Sequence, residues 1–206
     1  NSDPVFLTQT IDSVLSQSYA NWELCISDDC SEDNTTQAIL SRYEQKDKIK
    51  IKFRNKNGHI SVASNTALSM ATGEFIAFLD HDDLLHPHAL SAVASAINND
   101  PSVDIIYSDE DKIDENSNRF APHFKSDWNP DLLFSQNYIC HLTVFRAPLI
   151  KRLRGLRAGF EGAQDHDLLL RATELTSKIC HIPHVLYHWR AKSGSTAFGT
   201  KEKDYT

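Results

Sequence analysis

The sequence predicts an α/β domain built on a doubly wound, mostly parallel sheet, and three observations carry that reading. Helical and strand-like periodicities alternate through the first hundred residues with short loops between them, in the order helix, strand, helix, strand, helix, strand, helix. Two of the strand-like runs end directly on acids, at Asp28-Asp29 and at Asp80-His81-Asp82-Asp83, and open α/β sheets place their ligands at the carboxyl ends of strands. The 206 residues, 40% of them hydrophobic, suffice for one full core, so 1–206 is expected to be a single domain.

Leu7, Ile11, Val14 and Leu15 recur at helical spacing and predict an amphipathic helix over 5–17. A pattern that begins with a helix leaves an apolar face in need of a strand, so a central strand preceding Asn1 is expected, missing from this stretch. Residues 22–27 read as a strand. The Ser/Asp/Asn cluster behind them caps the next helix through Asp33 and Asn34, with Ile39, Leu40 and Tyr43 on its apolar side. Ile49, Ile51 and Phe53 alternate with lysines, the mark of a strand with one wet face near a sheet edge. A turn at 55–58 and a helix over 62–70 follow. Gly73 then opens the apolar run 74–79, a buried strand by composition, and Pro87 introduces a helix over 89–97.

The second half is less regular. Residues 103–107 form a strand, followed by Ser108-Asp109-Glu110-Asp111-Lys112 and a hairpin turn at 115–119. In the irregular stretch 120–137, Trp128 stands among charged and polar neighbours. It is either half-buried packing or a platform on which a sugar stacks. A strand over 142–146, a short basic helix over 148–153 and a glycine-punctuated loop over 155–162 lead to Gln164-Asp165-His166-Asp167. Asp165 starts a helix there, as a cap on free amides or as a general base facing the cleft. Asp167, two residues on, points about 200° away around the helix, so the two cannot share one cleft. Residues 179–190 are strand-like, and 191–206 form a polar tail expected to be mobile.

Carboxylates crowded at Asp80, Asp82 and Asp83 repel one another unless a cation joins them, and Mn²⁺ or Mg²⁺ is the natural partner; a solvated acidic turn is the plainer alternative. The chain has no glycine-rich phosphate loop and no Gly-x-Ser-x-Gly elbow, so any phosphate must be bound through metal. His181, His184 and His188 alternate as a metal site would, and as any strand face does. A net charge of −7 argues against nucleic acid. No apolar run approaches the ~18 residues of a membrane span, and no signal peptide is visible. Cys25, Cys30, Cys140 and Cys180 have no metal-ligand spacing and are expected to be reduced thiols of a cytoplasmic protein.

Three stretches carry a resemblance. Gln17-Ser18-Tyr19-Ala20-Asn21-Trp22-Glu23-Leu24, Ser27-Asp28-Asp29-Cys30-Ser31-Glu32-Asp33 and 73–83 resemble the family 2 glycosyltransferases of the GT-A fold. Tyr107-Ser108-Asp109-Glu110-Asp111-Lys112 and Trp128-Asn129-Pro130-Asp131-Leu132-Leu133 are similar to the branch that builds bacterial surface polysaccharides, O-antigen enzymes included. The resemblance implies inverting transfer of a sugar from a nucleoside-diphosphate donor, UDP or dTDP favoured, to a saccharide or lipid-linked saccharide acceptor. It implies that Asp29, with Asp28 beside it, reads the nucleotide base. Asp80 and Asp82 match the Asp-x-Asp pair whose last member meets the metal, and Asp165 matches the catalytic base, with Gln164 where the family often has Glu. Asp109, Glu110 and Trp128 fall to the acceptor side. The acceptor would draw the protein to the inner face of the cell membrane as a peripheral enzyme. A domain that binds nucleotide-sugar without turnover is the alternative.

Overall fold

Asp3 starts the first helix, α1 (Pro4–Leu15): its carboxylate accepts the amides of Val5 at 2.9 Å and Phe6 at 3.2 Å, and Pro4 occupies the first turn, where no donor is required. The computed structural model describes residues 2–191, so the expected mobile tail from residue 192 onward lies outside the described residues. Strand β1 (Leu24–Asp28) pairs in parallel with β2 (Ile49–Phe53). Between them α2 (Asn34–Ser41) is capped by Asp33, which accepts Thr35 N–H at 2.7 Å. Leu7 and Ile11 pack with Ile39, Leu40 and Ile49 into one small core. α3 (His59–Leu68) follows. Among the described residues β1 makes its strand pairing with β2 only, and the strand expected before Asn1 is not among them.

The remaining strands are β3 (Phe75–Ala77), β4 (Leu84–Leu85), β5 (Ile105–Ile113), β6 (Arg119–His123), β7 (Thr143–Arg146) and β8 (Ile179–Arg190). They form a second sheet in the order β3-β7-β5-β8-β4, with β6 alongside β5. Helices α4 (Ala89–Asn99), α5 (Pro130–Ser135), α6 (Ala147–Leu153) and α7 (Gln164–Thr173) complete the fold. Alternation along β5 sends Ile105 and Tyr107 into a core with Leu149, Ile150, Leu168 and Leu169 of α6 and α7. Ile106 goes to the opposite face, with Ala89 and Val93 of α4. Helices therefore cover both faces. No helix among the described residues is long and apolar enough to cross a membrane.

Two expectations need correction. The sheet is mixed rather than mostly parallel: β1–β2 and β5–β8 are parallel, but β3–β7, β4–β8, β5–β6 and β5–β7 are antiparallel. The cause is the excursion through β6 and α5, after which β7 returns between β3 and β5 running against both. The acids of 109–111, read as following a strand, lie within β5. There Asp109 accepts from His181 Nε2 at 2.9 Å, Glu110 from Lys125 Nζ at 3.2 Å, and Asp111 from Arg119 Nε at 2.6 Å with His188 Nδ1 also at 2.6 Å. Partners distant in sequence let a strand bury three acids in succession. The run 74–79 yields only three strand residues, half-buried to exposed, because β3 lies at the sheet edge.

Candidate active site

The acidic segment between β3 and β4 is a tight turn. Asp83 N–H donates to Asp80 O at 3.3 Å, which brings residues 80 and 83 together and puts His81 and Asp82 at the tip. The turn is anchored from two sides. Arg190, only 1% exposed, donates from Nε to Asp82 O at 2.7 Å and from Nη2 to Gln9 Oε1 at 2.8 Å. The Thr10 hydroxyl of α1 lies 3.0 Å from His81 O and 2.8 Å from Asp83 O. Asp83 is itself buried, its carboxylate accepting Arg190 N–H at 2.7 Å and Tyr187 O–H at 2.6 Å. Burial, and then the charges of Asp80 and Asp82, push that carboxyl well above its usual range, against the pull of its two donors.

His141 approaches from the segment before β7. Its ring stacks on Tyr187 with centroids 4.6 Å apart and planes 16° from parallel, and its Nε2 lies 4.0 Å from Asp80 Oδ2. Asp80, Asp83 and His141 each offer one ligand atom, all within 4.8 Å of one another, and among the described residues this is the one such group of acids, histidines or cysteines. Asp82, matched with Asp80 in the sequence, lies outside this trio because the turn places it at the tip. The donor set of carboxylates with an imidazole suits a divalent ion.

Asp80 and His141 line a cleft of about 630 Å³ whose other wall carries Glu161, Gly162, Gln164 and Asp165. Asp165 is the second residue of α7 rather than its cap, which is Ala163. Its Oδ2 accepts Asn137 Nδ2–H at 2.9 Å and its Oδ1 the amide of His166 at 2.9 Å. Asp167, itself buried, turns away to pair with Arg157 and Arg171, the latter donating from Nε at 2.9 Å. Burial opposes its ionisation, but the two guanidinium groups outweigh it and hold the carboxyl below the ordinary range.

A second cleft, of about 460 Å³, opens at the carboxyl ends of β1 and β2, lined by Asp28, Asp29, Cys30, Ser31, Asn57 and His81. Asp29 accepts from Arg54 Nε at 2.8 Å and from Gly58 N–H at 3.0 Å. Asp28 is buried and accepts the Ser31 hydroxyl at 2.5 Å. Gly58 is required here: a Cβ would stand 2.7 Å from Arg54 Nη2 and 2.9 Å from Val62 Cβ, disturbing the groups that hold Asp29. His81 lines this cleft while Asp80 lines the other, so one turn separates the two.

Asp109, Glu110 and Trp128 line neither cleft. The two acids are buried in β5, and Trp128 packs half-buried against the core of Ile105 and Leu133. His181 and His188 are taken by Asp109 and Asp111. Sequence reasoning missed Asn137, His141, Tyr187 and Arg190. Of these only Arg190 left a signal, a charged residue closing an apolar strand-like run, which buries a charge that must be paired.

A family model described as Glycosyl transferase family 2 matches residues 1–154. The chain is 51% identical over 208 residues to the uncharacterized protein y4gI of Sinorhizobium fredii, and 40% identical over 198 residues to the O-antigen biosynthesis protein RfbC of Myxococcus xanthus. It aligns over 100% and 96% of its own length, but spans only 23% and 16% of theirs. Among solved structures, TarS 1–349 of S. aureus in complex with UDP-GlcNAc superposes with a TM-score of 0.74 at 21% identity, covering 92% of this chain and 56% of that one. That likeness shows the GT-A fold. Because that family model covers the greater part of the chain, the chain belongs to the family 2 glycosyltransferases.

Proposed function

We propose that this domain moves a sugar from a nucleoside-diphosphate donor to a saccharide hydroxyl with inversion at the anomeric carbon. One observation carries the reading: Asp80 and Asp165 face a single cleft, while the turn that bears Asp80 borders a second cleft holding Asp28 and Asp29. The nucleotide base occupies the second cleft, against Asp29, and the sugar the first. The diphosphate crosses the turn, where Asp80, with Asp82, Asp83 or His141, would hold Mn²⁺ or Mg²⁺. Such an ion neutralises charge on the departing diphosphate. Asp165, its Oδ2 aimed by Asn137, takes the proton of the acceptor hydroxyl as that oxygen bonds to the anomeric carbon opposite the leaving oxygen. UDP and dTDP donors are favoured, in keeping with the UDP-GlcNAc held by TarS. A saccharide or lipid-linked saccharide acceptor of surface-polysaccharide synthesis follows the name of RfbC. The enzyme works in the cytoplasm, drawn to the membrane by its acceptor.

The test is calorimetric titration of UDP and dTDP with and without Mn²⁺, joined to turnover by the protein. Asp165→Asn is expected to lower kcat by ~10²–10⁴-fold and leave the UDP affinity unchanged, whereas EDTA, Asp80→Asn and Asp82→Asn weaken UDP binding. Undiminished UDP binding in excess EDTA would remove the metal from the scheme, and near-normal turnover by Asp165→Asn would remove the base.

A further inference from the structure

Behind the cleft wall, the chain buries a charge pair that reaches neither cleft. The side chain of Lys125 has no exposed surface, and its Nζ lies 3.2 Å from Glu110 Oε2, 2.7 Å from Ser108 O and 2.6 Å from Ile139 O, and also donates to His141 O. Glu110 Oε2 accepts His141 N–H at 3.0 Å. The N–H and the C=O of one residue are thus held by the two halves of one buried ion pair. Taking both charges out of water is costly, and what the arrangement delivers is a fixed backbone at His141. The side chain is fixed as well. Tyr187, on which the imidazole stacks, donates to Asp83 and accepts Asp80 N–H at 3.2 Å, so a single phenol registers the ring against both acids.

We infer that His141 is a nitrogen ligand of the divalent ion, completing with Asp80 and Asp83 a set that selects Mn²⁺ over Mg²⁺; this rests on the metal-dependent transferase reading above. Mg²⁺ holds to oxygen ligands and keeps its waters, whereas first-row divalent ions accept imidazole. The Glu110–Lys125 pair supports that ligand through its backbone, as outer groups orient the ligands of metal sites.

The experiment is titration of Mn²⁺ and of Mg²⁺ into the domain, with pulsed electron paramagnetic resonance of the Mn²⁺ complex. Wild type is expected to show coupling of Mn²⁺ to ¹⁴N, and His141→Ala to abolish it. The same change should lower Mn²⁺ affinity by ~10-fold or more and Mg²⁺ affinity by less than about threefold, since an outer group alone is worth ~10–100-fold. His141→Gln, which keeps a polar side chain on Tyr187, should behave alike and decides the matter if the alanine variant does not fold. Coupling absent from wild type, coupling retained in both variants, or equal losses for the two ions would overturn the assignment. Nitrogen coupling in a domain whose UDP binding ignores Mn²⁺ would uphold the ligand and remove the metal from the donor-binding scheme proposed above. Mn²⁺-dependent UDP binding without nitrogen coupling would do the reverse.

Discussion

Burial pulls the Lys125 amine below the usual lysine range, and Glu110 foremost among its neighbours works against that pull. Replacing it by an isosteric apolar group therefore strands a carboxylate and three carbonyl oxygens in the interior. Lys125→Met is expected to cost ~3–5 kcal/mol, read as a fall in the urea midpoint; a loss under ~1 kcal/mol would mean water replaces the amine. The contrast with Asp80 and Asp165 shows what single residues disclose. Asp80 was legible because it ends a hydrophobic run, and Asp165 because it opens a helical one. Lys125 and His141 belong to no periodic stretch, and each acquires its role from partners that only the tertiary fold supplies, Glu110 for one and Asp80 and Tyr187 for the other.

Periodicity predicts the longer helices but not α5, which lies in the stretch 120–137 that reads as irregular, and alternation predicts β2. β5 looks shorter in sequence than it is because three successive acids look like a loop, and nothing local announces Arg119, Lys125, His181 and His188 as their partners. Connections between elements were equally hidden. The small β1–β2 sheet is joined to the start of β3 by Glu23, which accepts Lys50 Nζ at 2.6 Å and Gly73 N–H at 2.8 Å. Burial opposes its ionisation, but Lys50, Thr72 and Gly73 outweigh it and hold the carboxyl down at about 2. A depressed carboxyl stabilises the fold above its unfolded pKa and ceases to as pH falls through the folded one. Glu23→Gln should thus lower Tm at neutral pH, by ~2–4 °C for each kcal/mol lost, with the gap closing between about pH 4.5 and about pH 2. A gap that stays constant across that window would show that the carboxylate's charge is not what joins the two pieces.

The α/β class and the helices on both faces follow from where apolar runs stop, and Asp80, at the end of one such run, lines one cleft with Asp165, at the start of a helix. The direction of each strand does not follow from those runs, because a returning strand such as β7 has the same composition whether it runs with or against its neighbours. The division of the surface into two clefts by one turn was also beyond the sequence, since it depends on Thr10, Tyr187 and Arg190 holding that turn from opposite ends of the chain. Each cleft contains one free thiol, Cys30 beside Asp28 and Asp29, and Cys140 beside His141 and Asp165. The protein therefore carries its own pair of chemical labels for ligand position. Burial pushes the Cys140 thiol up, so it alkylates slowly. UDP with Mn²⁺ should shield Cys30 from iodoacetamide and leave Cys140 at its own slow rate, and a complete UDP-sugar should shield both, as read by mass spectrometry of timed samples. Shielding of Cys140 by UDP alone would place the nucleotide in the cleft assigned to the sugar, and the direction of the donor across the turn would be reversed.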